Sequence, residues 1–451
     1  MSEALSRRVL AAYSGVSLPL ASMAMPISVY LPPFYGGSMG LSLTTVGTLF
    51  LVARVWDVVT DPLMGLAIDR FDSPWGRRKH WLALALPILL IAVWHVFLPN
   101  PEKVSATYLG IWLFLLYVGY TMMLIAHQAW GADLTAGYDA RSRLFGWREL
   151  FVLAGMVGVL SLPALVEQFG SGSMTDRVAS MGWYCVIAFP IATLLALLLV
   201  PDRRLGESTT KHRLDWSQAL SAVVSDRTMR RLLLSVFTIG FNSTASAGVY
   251  VFLVVYVFEL PRQASIGLLA YFLSAFLAMP LWMRLAYRLG KDRSLRWALI
   301  YGAGILVALL LFAGPGRPWV FWPYLVLYGV AYGAGPTLLR SMMADLVDED
   351  ELETGRNRGG LLFSLLTSVD KLGSAVGSFL SLAVVERVFG FSPGADNADA
   401  AIRGVLVAAT LLPLTGLVLG YLPLHRYPMT RERHGEIQTR LAAVRTTDLT
   451  T

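Results

Sequence analysis

Asp57 and Asp61 stand four residues apart in the stretch RVWDVVTDPLMGLAIDR, residues 54–70. On a helix that spacing puts both carboxylates on one face, one turn apart, with Arg54 on the same face three residues earlier. Two carboxylates this close in a low dielectric cannot both stay ionised unaided. A proton on one, or a cation between them, resolves the conflict. Thr60 adds a hydroxyl oxygen. Pro62 has no N–H to donate, so the carbonyl of Val58 is left as a further oxygen ligand. Oxygen donors of this kind suit a hard cation such as Na⁺, or a proton, rather than a soft transition metal. The competing reading is structural: Arg54 pairs with Asp57 as a fixed strut, and Asp61 is left near a helix end.

These charges fall within a run that otherwise reads as membrane span, where each costs roughly 2.5–3.5 kcal/mol even on the lenient insertion scale. The whole chain has the same character. Of its 451 residues 55% are hydrophobic and only 15% charged, and mean hydropathy is +0.58. Soluble domains carry about 25% charged residues, so the expected class is a polytopic all-α membrane protein. The net charge of +7 then reflects basic cytoplasmic loops rather than a nucleic-acid partner. The single cysteine, Cys185, excludes an intramolecular disulfide and a cysteine-based metal cluster. No nucleotide-binding loop, zinc spacing or nucleophile elbow appears, so neither an enzyme nor an ATP-driven pump is expected.

Twelve candidate spans are centred in 10–34, 43–68, 81–98, 107–131, 146–166, 180–200, 232–257, 264–288, 295–313, 320–344, 360–386 and 402–423. The expected organisation is a six-helix bundle over 1–201, a cytoplasmic central loop over 202–231, a second six-helix bundle over 232–425 and a cytoplasmic tail over 426–451. Arg7 and Arg8 precede an uncleaved first span. The lopsided distribution of Lys and Arg places both termini on the cytoplasmic side of a bacterial-type inner membrane. The halves also resemble each other. DPLMGLAIDRFDSPWGRRKHW after the second span echoes MPLWMRLAYRLGKDRSLRWAL after the eighth, and GADLTAGYDARSR echoes MADLVDEDELETGRNR. Aligning Pro62 with Pro280 sets Asp57 and Asp61 against Ala275 and Met279, so a shared fold does not require the carboxylates. Two related six-helix halves are a transporter architecture, with the solute held between them.

GTLFLVARVWDVVTDPLMG, the hairpin SPWGRRKHW and ADLVDEDELETGRNRGGLLFSLLTSVDKLGSAVGSF resemble the glycoside–pentoside–hexuronide:cation symporter family, the melibiose-permease branch of the major facilitator superfamily. The resemblance covers nearly the whole chain. It implies the major facilitator fold and a cation site at Asp57, Thr60, Asp61 and Thr121, with Na⁺ or H⁺ as coupling ion and no other cofactor. The branch has Asn where this chain has Thr60. It also implies sugar contacts for Arg148, Lys371 and Thr367. Galactoside-binding acids are missing: the first span reads SLPLASMAMP, and Leu124 and Gln128 stand at the fourth-span positions of an Asp and a Trp.

The remaining polar groups on pocket helices are Tyr30, His127, Gln128, Arg148, Thr367, Asp370 and Lys371. Arg148 and Lys371 tilt that set positive, which suits a uronate or other organic anion, unless Glu149 or Asp370 neutralises them internally. His127 is either a proton relay or a pocket hydrogen-bonding group. Cytoplasmic gating by ion pairs is expected from Asp69, Arg70, Arg77 and Arg78 with Asp133 and Arg141, and from Asp345, Asp348 and Arg356 in the second half. Arg54 and Arg340 join this set, and Arg340 either pairs with Asp345 or snorkels to the interface. The expected function is cation-coupled symport, by alternating access, of a glycoside, uronate or related small molecule by a monomer in the bilayer. A lipid or lysolipid transporter on the same fold and a non-transporting membrane sensor are the alternatives.

Overall fold

The computed structural model describes residues 5–71, 73–134, 138–202, 226–355 and 358–448. Among them the regular structure is helical, and no strand occurs. Eleven helices are long and apolar enough to cross a membrane. The chain divides into two compact units, Met1–His212 with Leu260–Leu269 and Glu386–Ala398, and Arg213–Glu259 with Ala270–Val385 and Asp399–Thr451.

Unit 1 holds α1 (Arg7–Ser38), α2 (Leu43–Arg70), α3 (Lys79–Phe97), α4 (Ala106–Leu134), α5 (Tyr138–Phe169) and α6 (Met174–Leu199). α1 is broken by π-helical turns that begin at Pro26 and Phe34, where prolines 26, 32 and 33 remove backbone donors. It packs on α5 and α6, while α4 packs on α2 and α3. The start of α2 is fixed twice. Ser42 caps it by accepting from Thr45 N at 3.1 Å, and the Glu386 carboxylate accepts from Leu43 N at 3.0 Å and Thr44 N at 2.6 Å. Both use donors that a helix leaves without intrahelical acceptors.

Unit 2 holds α7 (Arg227–Val257), α8 (Ala264–Leu289, whose first turns cluster with unit 1), α9 (Lys291–Phe312), α10 (Phe321–Tyr332), α11 (Gly335–Thr354), α12 (Gly359–Arg387), α13 (Asp399–Leu424) and α14 (Arg431–Asp448). The span expected over 320–344 is not one helix. It breaks at Gly333 and Ala334, and Pro336 sits in the first turn of α11. Gly333 is needed there for close approach: a Cβ at that position would collide with the carbonyl oxygen of Ala275 on α8. Within the tail expected over 426–451, Arg431–Asp448 forms α14, which packs on α11 and buries Ile437 and Leu441.

Candidate functional site

Asp57 on α2 is 1% exposed. Its Oδ1 accepts a 2.6 Å hydrogen bond from the Thr121 hydroxyl of α4, and its Oδ2 lies 3.6 Å from Arg54 Nη1. The Arg54 guanidinium also sits 5.0 Å above the ring of Tyr117, one helical turn before Thr121. Asp61 is half-buried one turn further along α2. Thr60 turns its hydroxyl back to the helix, donating to the carbonyls of Trp56 and Asp57 at 3.1 and 3.3 Å. Its oxygen keeps lone pairs that can still accept or ligate. The four residues of the expected cation site therefore lie on two packed helices of one unit. Arg54, expected among gating residues, is an electrostatic partner of Asp57. The donor set consists of carboxylate and hydroxyl oxygens, which fits a hard monovalent cation or a proton. Among the described residues no group of three or more His, Cys, Asp or Glu is placed to hold a metal ion.

The residues expected at a substrate pocket do not share one environment. Gln128 and Thr367 are exposed, with Thr367 Oγ1 donating to the carbonyl of Phe363 at 3.0 Å. Asp370 is exposed and Lys371 half-buried on α12. Arg148 pairs through Nη1 with Glu149 at 3.2 Å, and its Nε is buried without a hydrogen-bond partner among the described residues. It lies close enough to Tyr120 and His127 to act on both electrostatically.

His127 and Tyr30 are both buried and hydrogen-bonded. His127 is fully buried, stacked on Tyr13 with centroids 4.2 Å apart. Its Nε2 donates to the Tyr13 carbonyl at 2.8 Å, while Tyr13 Oη donates to the His127 carbonyl at 2.9 Å. These reciprocal bonds tie α1 to α4. Tyr30 is fully buried and donates to Ser265 Oγ at 2.7 Å. Ser265 in turn donates through Oγ to Glu167 Oε1 at 2.7 Å and through N to Oε2 at 2.9 Å. Arg177 completes this buried network with an ion pair to Glu167 at 2.9 Å and hydrogen bonds to the carbonyls of Gly172 and Pro261 at 2.6 and 3.1 Å. Neither Glu167 nor Arg177 was among the residues expected from the sequence. The signal was an acid and a base flanking the short hairpin FGSGS, residues 169–173.

The ion pairs expected to gate fall inside each unit. Arg78 is buried and donates through Nε to Asp133 at 2.8 Å and through Nη1 to the carbonyl of Ile68 at 3.0 Å. Asp202 caps the same hairpin by accepting from Arg78 N and Lys79 N at 3.1 and 3.2 Å. Arg77 is half-buried and Arg70 exposed. In unit 2, Asp345 takes Lys291 Nζ at 2.6 Å, and Asp348 lies 3.1 Å from His434 of α14. Arg340 is exposed and makes no ion pair with Asp345. The side chains of Asp69 and Arg141, and all of Arg356, lie outside the described residues.

Residues 12–431 match the MFS/sugar transport protein family. The uncharacterized symporter YnaJ of Bacillus subtilis is 27% identical over 90% of this chain and 89% of its own. The isoprimeverose transporter of Lactiplantibacillus pentosus is 25% identical over 90% of this chain and 85% of its own. The sodium-dependent lysophosphatidylcholine symporter 1 of Mus musculus is 24% identical over 88% and 81%. Among solved structures, the nucleoside transporter NupG superposes with a TM-score of 0.66 at 13% identity, over 94% of this chain and all of that one, which shows a common fold. With a family match spanning most of its length, the chain belongs to the MFS/sugar transport protein family: it is an integral membrane transporter and not an enzyme.

Proposed function

We propose that the protein is a secondary active transporter that couples entry of Na⁺ or H⁺ to symport of a sugar or sugar-derived solute by alternating access. It works in a bacterial-type cytoplasmic membrane with both termini inside. The observation that carries this reading is the buried Asp57, held by Thr121 and Arg54, with Asp61 one turn away. A carboxylate at this depth is expensive, and the aligned helix of the second half does without it. Binding of a cation here lowers the free energy of the solute-loaded state, and by linkage the solute raises cation affinity by the same factor. The Arg148–Glu149 pair supports internal neutralisation of the pocket, which favours a neutral glycoside over an anion. The names of the symporter relatives, one of them an isoprimeverose transporter, support the same class.

The test is a thermal-shift screen of the purified protein against neutral glycosides including isoprimeverose, uronates and lysolipids, with and without Na⁺, at two pH values. A neutral sugar whose shift depends on Na⁺ or on pH supports the proposal. A shift from lysolipid alone, independent of cation, contradicts it.

A further inference from the structure

A groove of about 930 Å³ runs along unit 1 between α1, α5 and α6. Its floor is made of small residues, Ala11, Ala12 and Gly15 on α1 with Ala188 and Ala192 on α6. On α6 its walls include Ile187, Ile191 and Leu195, all exposed. The lining on α6 extends from Ser180 to Leu199, about 28 Å of helix at 1.5 Å per residue, close to the thickness of a bilayer's hydrocarbon core. The groove is long and mostly apolar, a shape that an extended acyl chain can follow.

One end of the groove carries a charge. Arg8 is the first of its lining residues on α1, followed by Ala11, Ala12, Gly15 and Leu18. Arg7 and Arg8 are both exposed, and neither has an ion-pair partner among the described residues. Basic residues at a membrane surface attract anionic headgroups, each contributing about fivefold in affinity. We propose that this groove is a binding site for an anionic phospholipid of the inner leaflet. Its phosphate would sit at Arg8, and an acyl chain would lie over the alanine and glycine floor. The lipid would brace α1 against α5 and α6. The site is separate from Asp57 and independent of which solute is carried.

The proposal is tested on the full-length protein in mild detergent, by thermal unfolding on titration with phosphatidylglycerol or phosphatidylcholine. Phosphatidylglycerol should stabilise the wild type more than phosphatidylcholine does, because a ligand that binds only the folded state raises its stability. Arg8→Gln should need about fivefold more phosphatidylglycerol for the same shift. Ala192→Phe, which keeps the charge and fills the groove, should lose the preference. Arg284→Gln, an exposed arginine of unit 2, should behave as the wild type. Equal shifts from the two lipids overturn the proposal. So does a full phosphatidylglycerol preference in Ala192→Phe, which would assign the effect to surface charge alone.

Discussion

Asp57 on α2 meets Thr121 on α4 through a hydrogen bond of 2.6 Å. Setting Asp133 against Asp345, as the sequence repeat requires, places Thr121 against Gly333, and the earlier alignment of prolines places Asp57 against Ala275. In unit 2 that corresponding pair has no polar side chain. Gly333 lets its backbone lie directly on the Ala275 carbonyl, and the helix breaks there. The same helix pair is thus held by a charged side-chain contact in one unit and by bare backbone packing in the other. The packing solution is sufficient for the fold, so the carboxylate in unit 1 has a task beyond packing.

The two hairpins that follow α2 and α8 differ in a parallel way. Gly76 and Gly290 both have positive φ, 123° and 99°, a region open to glycine and strained for other residues. Arg78, which follows Gly76, is buried on Asp133, whereas Lys291, which follows Gly290, holds Asp345 with its side chain 34% exposed. The buried partner is the base in the first hairpin, where Asp133 is 26% exposed, and the acid in the second, where Asp345 is 10% exposed, and stranding a buried charge is the costly way to break such a pair.

The largest expected effect comes from removing the charge that distinguishes the halves. Asp57→Asn should abolish concentrative uptake in proteoliposomes while the protein still folds, because Asn keeps an acceptor for Thr121 but cannot balance a cation. Next, Lys291→Met should cost about 3–5 kcal/mol of stability by leaving the buried Asp345 without Lys291, and Arg78→Met less, because the Asp133 it leaves behind is 26% exposed and solvated. Equal losses in thermal unfolding would erase the distinction between the hairpins. Thr121→Val deletes a hydrogen bond to a charged group and should cost about 1.5–3 kcal/mol, read as weaker cation activation of uptake. Gly333→Thr writes the residue of unit 1 into unit 2, where it meets the Ala275 carbonyl. It should destabilise by about 1–3 kcal/mol without adding cation dependence.

The smallest effect concerns pH. Glu353, near the end of α11, has its pKa raised by burial and by the neighbouring carboxylates Glu349, Asp226 and Asp350. An acid whose folded pKa lies above its unfolded value opposes folding once ionised, and that penalty fades as pH falls through the raised value. Glu353→Gln should therefore raise the unfolding temperature slightly at pH 7. It should make no difference well below the ordinary Glu pKa of about 4.3.

Hydropathy made most spans legible, because about 20 apolar residues suffice to mark each one. It could not show the break between α10 and α11, which depends on how closely Gly333 approaches Ala275. Spacing placed Asp57 and Asp61 on one face, but Thr121 lies 64 residues away and entered only through family resemblance. Polarity marked His127 and Tyr30 as candidates. It could not reveal that His127 faces the Tyr13 carbonyl, or that Tyr30 serves the Glu167–Arg177 network. Which neighbour a polar side chain meets inside a bundle is set by tertiary packing, and a local pattern holds no record of it.

The most direct measurement is the steady-state accumulation ratio of a transported sugar in proteoliposomes bearing an imposed Na⁺ or H⁺ gradient, for wild type and Asp57→Asn. A coupling role for Asp57 predicts uphill accumulation in the wild type under one of the two gradients, and mere equilibration in the variant. Equal uphill accumulation by both proteins would contradict it.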